Sequence, residues 1–313
     1  MAIHLLDQCD APLGTKYRAV ALMVDGYLRV YVYADRAAMG DAAWANYSGQ
    51  AKTIIDKNQR FNSIFAAAPS QNDVLWHAAE DPNFPWEKMN FGGQMDEYVG
   101  LRASDPRSFR HYHNTHLWGP LLSKGRSVNP YAIRQIIGEA ASTDIMMEDY
   151  AKALSDNPPD IVQLGIGRVN GHIAFNDPPE AFFDDMRLIY QRELAPAAKD
   201  QQVAEGHFRS VGEVPQAITL TIPALRGTHP GYTARNRDVC LNCVVPTAEK
   251  ATAVEKMVLG PVTEDVPATI LRRHSNAHLF LDLDAAHLLH GHEGIDLTPL
   301  GFDPRRYETV PRG

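Results

Sequence analysis

The residues with the strongest chemical potential lie in one stretch, Asp160-Ile-Val-Gln-Leu-Gly-Ile-Gly-Arg-Val-Asn-Gly-His-Ile-Ala-Phe-Asn-Asp-Pro178. A short apolar run reads as a buried strand, and Gly165, Gly167 and Gly171 then let the backbone turn sharply. Asn170, His172 and Asp177 sit inside that corner. A histidine flanked by an amide and a carboxylate, at the C-terminal end of a strand, can serve as an acid/base station where open α/β sheets bind ligands. A structural turn with helix-capping polar residues would use the same residues. Gly165-x-Gly167-x-x-x-Gly171 departs from the dinucleotide fingerprint, because its last glycine comes one residue late and no helix-forming run follows.

Three other places carry candidate chemistry. Pro69-Ser-Gln-Asn-Asp73 follows a strand and opens a helix whose first N–H groups attract anions, phosphate in particular. Ser70 and Asp73 there could also form a capping pair. Asp96 and Glu97 are adjacent acids just beyond the segment Trp86–Phe91, which reads as a strand. Side chains alternate on extended backbone, so one acid could face a cleft while the other makes structural bonds. Lys250, in the first turn of a predicted helix, opposes the helix dipole, and an anionic partner would account for it.

The elements that must position these residues alternate along the chain. Strands are expected at Leu28–Tyr33, Asn62–Ala68, around Asp160–Leu164, at Val214–Pro223, Asp238–Pro246 and His278–Leu283. Helices are expected at about Arg36–Lys57 (with Asp35 as N-cap), Val74–Ala79, Ile145–Leu154, Ala181–Glu193 and from Thr247. The order predicts an α/β fold, a doubly wound and mostly parallel sheet in a single domain (27–313). Residues 1–26 are an N-terminal extension or an added edge element. In such a sheet the turns at Ser70, Asp96, Asn170–Asp177 and Lys250 converge on one edge.

Composition bounds the rest. The 313 residues carry a formal net charge of −8, with 44% hydrophobic and 22% charged residues, which suits a globular protein and argues against nucleic-acid binding. Three cysteines (Cys9, Cys240, Cys243) imply no disulfide framework. Cys240 and Cys243, three apart on a strand, read as structural. His287, His290, His292 and Glu293 have metal-ligand types without a standard spacing, so a solvated tail is expected. No membrane span or signal peptide is evident, and a cytoplasmic location is expected.

Met95-Asp-Glu-Tyr-Val-Gly-Leu101, Gly165-Ile-Gly-x-x-Asn-Gly-His-Ile-Ala-Phe-Asn-Asp-Pro178, and Gly260-Pro-Val with Pro267-Ala-x-x-Leu271 resemble the glucosamine-6-phosphate deaminase/isomerase family, over roughly Ala34 to Ala286. The related 6-phosphogluconolactonases share the fold and a Gly-His turn but lack the Met-Asp-Glu-Tyr box. The resemblance implies a Rossmann-like fold, no cofactor or metal, a small sugar phosphate as substrate, and a homo-oligomer. It implies Asp96 as the base moving a proton between C2 and C1, and His172 at the ring oxygen, oriented by Asn170 and Asp177. It places the phosphate on Ser70, Gln71, Asn72 and Lys250.

Departures from the family pattern are visible. Asn170 stands where Asp is frequent, Asp177 where Glu is usual, and Pro-Ser-Gln-Asn replaces a Gly-Gly-Thr turn. The lid arginine expected between Arg187 and Val214 has no clear counterpart; His207 and Arg209 are the candidates to substitute. Glu180 and Ile189 flank Arg187 where an allosteric pocket would need Ser and Lys, so no activation by an acetylated sugar phosphate is expected. Glucosamine 6-phosphate is the leading substrate. The alternatives are its galactosamine epimer, isomerisation without deamination, and a non-enzymatic sugar-phosphate sensor.

Overall fold

Apolar β-branched and aromatic runs set the sheet. The computed structural model describes residues 1–204, 206–234 and 238–308. Twelve strands occur among the described residues: β1 (Ile3–Leu5), β2 (Ala19–Val24), β3 (Leu28–Tyr33), β4 (Phe61–Phe65), β5 (Met89–Gln94), β6 (Asp96–Tyr98), β7 (Ile133–Arg134), β8 (Ile161–Leu164), β9 (Ile189–Arg192), β10 (Ala217–Leu220), β11 (Cys240–Val245) and β12 (Ala277–Asp282). Nine of them form one sheet in the order β1-β2-β3-β12-β11-β8-β4-β5-β7. Every pairing from β3 to β7 is parallel, and only β1–β2 and β2–β3 are antiparallel. Residues 1–26 therefore supply two edge strands of the main sheet.

Helices cover both faces, and each face has its own apolar cluster. The helix Arg36–Asn58 begins at Asp35, whose carboxylate accepts from the Ala38 N–H at 2.8 Å, as a good N-cap does. Its Tyr47 clusters with Phe61, Phe65, Trp86 and Cys240 on one side of the sheet, while Cys243 belongs to the cluster on the other. The two cysteines thus face opposite ways as structural residues, and burial pushes each thiol up to about 12.

A second, antiparallel sheet, β6-β10-β9, was not foreseen. It replaces the expected helix over Ala181–Glu193. Ile189–Arg192 is a strand because β10, some thirty residues further on, offers it a ladder, and tertiary pairing outweighs local preference. The polar stretch up to about Gly212, which has little periodicity, contains a helix, Pro196–Ala204; Glu205 lies outside the described residues. In the tail, His287 stacks on Tyr307 and His290 on Phe302, each at 4.1 Å between ring centroids. Among the described residues, no group of three or more His, Cys, Asp or Glu could hold a metal ion. Among the described residues, no helix is long and apolar enough to cross a membrane.

Candidate active site

The parallel strands end at a cavity of about 350 Å³. Its lining includes Ser70 and Gln71 beyond β4, Asp96 on β6, Gly165 to Gly167 and His172 beyond β8, and Thr247 to Lys250 beyond β11. Turns that are far apart in sequence meet there, as ligand sites at the carboxyl ends of open sheets do.

The small sheet brings the acid and the histidine together. Asp96 lies opposite Thr219 in the β6–β10 ladder, and Thr219 Oγ1 accepts from the Phe175 N–H at 3.2 Å. Arg192 on β9 donates to the Phe175 carbonyl at 3.0 Å and to the Asp177 carbonyl at 3.3 Å. Asn176 adds bonds to the Ile173 and Leu220 carbonyls. The loop after His172 is therefore pinned to β9 and β10 of the small sheet whose other strand, β6, carries Asp96.

Within that loop, His172 Nδ1 is 3.1 Å from Asp177 Oδ2, and the Asn170 amide donates to Asp177 Oδ1 at 3.0 Å. Asn170 Oδ1 accepts from the His172 backbone N–H. The imidazole is thus oriented by Asp177, and Asn170 acts one bond further out; the sequence had assigned the orienting role to both. The shorter Asp177 side chain does reach the ring. Burial by itself would raise its carboxyl, but the His172 charge and hydrogen bond, the Asn170 amide and the Arg192 charge outweigh it and hold the carboxyl below its ordinary value.

Gly167 has a steric reason. A Cβ there would lie 1.5 Å from His172 Cδ2 and 2.0 Å from Nε2, so the ring occupies the space a side chain would need. Ala174 and Thr247, both lining the cavity, hold positive φ values of 52° and 78°. Such backbone costs energy in non-glycine residues and clusters at functional sites. Asp282, at the end of β12, anchors Thr247 through its backbone N–H.

Asp96 and Glu97 divide their work. Asp96 lines the cavity, is 7% exposed, and its carboxylate receives no hydrogen bond among the described residues. Burial, then the Glu97 charge, push its carboxyl well above the ordinary value. Glu97 points the other way and accepts from the N–H groups of Tyr98, Phe109 and Arg110 and from Ser108 Oγ.

Lys250 is also on the lining, and its ammonium donates to the Ile166 carbonyl at 2.7 Å. Lys250 closes the turn before the helix Ala251–Leu259 rather than lying within it. Ser70 and Gln71 line the cavity, but Asn72 does not: its side-chain oxygen accepts from Tyr112 Oη, which draws the amide aside. The proposed Ser70–Asp73 capping pair is absent, because Ser70 Oγ accepts from Gln71 Nε2 and Asp73 pairs with Arg36 Nε at 2.5 Å. Arg36 also lines the cavity and was missed. It follows the N-cap Asp35, and its partners, Asp73 and the Pro69 carbonyl, are remote in sequence. Of the lid candidates, His207 lines the cavity with Gln201 and Gln202, whereas Arg209 is not part of the lining.

The fold and the site define an α/β protein in which a buried carboxylate, a histidine–carboxylate pair and a lysine from separate strand ends share one cavity. Among solved structures, the chain is similar to a monomeric glucosamine-6-phosphate deaminase, with a TM-score of 0.67 at 24% identity over 83% of this chain and 99% of that one. It is also similar to a 6-phosphogluconolactonase from Thermotoga maritima, with a TM-score of 0.62 at 14% identity over 81% and 98%. No family profile matches the chain. Among curated proteins, it is 33% identical over 196 residues to the glucosamine-6-phosphate deaminase of Streptococcus gordonii, covering 62% of this chain and 74% of that protein. It is 34% identical over 198 residues to that of Lactobacillus delbrueckii subsp. bulgaricus, covering 62% and 74%. The chain belongs to the glucosamine-6-phosphate deaminase family.

Proposed function

We propose that the chain converts glucosamine 6-phosphate and water to fructose 6-phosphate and ammonia. The observation that carries this reading is the joint presence of Asp96 and the His172–Asp177 pair at one cavity that Ser70, Gln71 and Lys250 also line. His172, with Asp177 behind it, delivers a proton to the ring oxygen as the anomeric hydroxyl loses its own, and the ring opens to the aldehyde. Asp96 takes the proton from C2 and returns it at C1, while the substrate's ammonium group gives up one proton to O1, leaving a hydroxymethyl group at C1 and an iminium at C2. Water adds to that iminium, and ammonia departs. The net reaction consumes one water and is in that sense hydrolytic.

An unpartnered buried carboxylate suits the C2 step. A base works best when its pKa approaches the working pH, and burial with Glu97 beside it moves Asp96 in that direction. On the same lining, Lys250 and Arg36 bring positive charge to a chain of formal net charge −8, and the Ser70 turn brings hydrogen-bond donors. Asn72 contributes no side chain there.

The test is release of ammonia and ketose phosphate from glucosamine 6-phosphate, with Asp96→Asn as the control. Both products should appear with the wild type and vanish in the variant. Turnover of only the galactosamine epimer, or of a non-aminated hexose phosphate, would retain the mechanism and change the substrate. Binding without any turnover would favour the sensor.

A further inference from the structure

Two apolar strands at the centre of the main sheet each carry one amide: Gln163 in Ile161-Val-Gln-Leu164 and Asn242 in Cys240-Leu-Asn-Cys-Val-Val245. They are register partners, and both are fully buried. Buried amides in such strands need hydrogen-bond partners, and theirs form a directed chain. Asn46, on the helix Arg36–Asn58, donates to Asn242 Oδ1 at 2.9 Å. Asn242 Nδ2 donates to Gln163 Oε1 at 2.6 Å, and Gln163 Nε2 to Gln71 Oε1 at 2.7 Å. Gln71 Nε2 then donates to Ser70 Oγ at 2.9 Å.

The direction is fixed at one point. Asn242 Nδ2 also lies 3.2 Å from the Ala43 carbonyl, and a backbone carbonyl can only accept. Asn242 must therefore turn its nitrogen toward Ala43 and Gln163, and each later amide inherits its orientation. At the end of the chain, Ser70 Oγ is held as an acceptor from Gln71. Its own proton is not spent on that bond, and among the described residues the hydroxyl donates to no protein group. Ser70 is 7% exposed and lines the cavity. Gly165 makes room for this last link, since a Cβ there would lie 2.8 Å from Gln71 Nε2 and 3.2 Å from Ser70 Oγ.

We propose that this buried relay makes the Ser70 hydroxyl an obligate hydrogen-bond donor into the cavity, with Asn242, Gln163 and Gln71 as positioning residues for an oxyanion that can only accept. The inference rests on the reading of the Ser70 turn as the phosphate end of the site. A phosphate monoester oxygen is such an acceptor, and hydrogen bonds to charged acceptors are the stronger ones. Chains of hydrogen bonds also polarise one another, which strengthens the terminal donor.

The test is a double-mutant cycle on the affinity for inorganic phosphate, measured by calorimetry, with KM for glucosamine 6-phosphate alongside. Ser70→Ala should weaken phosphate about tenfold, the cost of one charge-assisted hydrogen bond, with the loss in KM exceeding any loss in kcat. Gln163→Met, close in volume and unable to hydrogen-bond like an amide, should weaken it several-fold in the wild type and hardly at all in Ser70→Ala. If Gln163→Met does not fold, Asn242→Leu, one link further back, should show the same coupling. Equal losses in both backgrounds would reduce the relay to general structural support and overturn the proposal, as would unchanged affinity in Ser70→Ala or no phosphate binding by the wild type. Coupled phosphate binding without ammonia release would leave the relay standing and remove the proposed reaction. Ammonia release with uncoupled binding would do the reverse.

Discussion

Asp96 and Glu97 are consecutive residues of one three-residue strand, and they face opposite sides of it with opposite hydrogen-bonding status. The first carries a carboxylate with no donor among the described residues; the second accepts from three backbone N–H groups, a hydroxyl and the Gln94 side-chain amide. Glu97 also contributes, after burial, to raising the Asp96 carboxyl.

Asp96→Asn should reduce kcat by at least about a thousandfold, in line with loss of general-base catalysis, measured as ammonia release. In the wild type, kcat/KM should rise with pH through an apparent pKa above the usual carboxylate range, because the base form is the active one. The stability effect has the opposite sign. A carboxyl whose folded pKa is raised costs stability as pH climbs from its unfolded pKa through its folded one, so Asp96→Asn should melt higher than the wild type at pH 8.

Glu97→Gln exchanges an all-acceptor carboxylate for an amide whose nitrogen confronts N–H donors. Loss of buried, charge-assisted bonds should cost about 3 kcal/mol in a denaturant titration. The surviving activity should carry its acid limb to lower pH, since removing the neighbouring negative charge lets the Asp96 carboxyl ionise more readily.

Gly167→Ala should fold and fail. Its Cβ would overlap the His172 ring, and the imidazole would have to swing out of place. A misplacement of about 1 Å in a catalytic group can cost about a hundredfold in rate, and kcat should show it while thermal melting changes little.

Asp177→Asn should lower kcat by at least about a hundredfold, because the amide removes the charge that supports imidazolium. The Asp177 carboxyl is held below its ordinary value, so its contribution to stability is present above the unfolded pKa and is lost as pH falls through the folded one. The wild type's melting temperature should therefore fall more steeply below about pH 4 than that of the Asp177→Asn variant, which lacks this linkage.

Much of the site was legible because it follows strand ends. The alternation of strand, polar turn and helix put Ser70, Asp96, His172 and Lys250 at one sheet edge, and strand periodicity foretold that Asp96 and Glu97 would diverge. What escaped was non-local. Ile189–Arg192 read as helix because its partner β10 is distant, and Arg36 looked like an ordinary helix residue because its partner Asp73 is 37 positions away. Asn72 was assigned to the turn by position, and nothing local signalled that Tyr112 would engage it. The relay left one trace: Gln163 and Asn242 interrupt strands that are otherwise apolar, and a lone amide in a buried strand requires a partner somewhere.

The two ends of the nine-stranded sheet are short, with three residues in β1 and two in β7. A parallel sheet of this width would otherwise present a row of free N–H and C=O groups on each flank, which is the template that fibril growth and strand exchange use. Such brief flanks offer an incoming chain few ladder bonds. Any self-assembly of this protein in its folded state should therefore proceed through side-chain surfaces, leaving the sheet itself a closed unit.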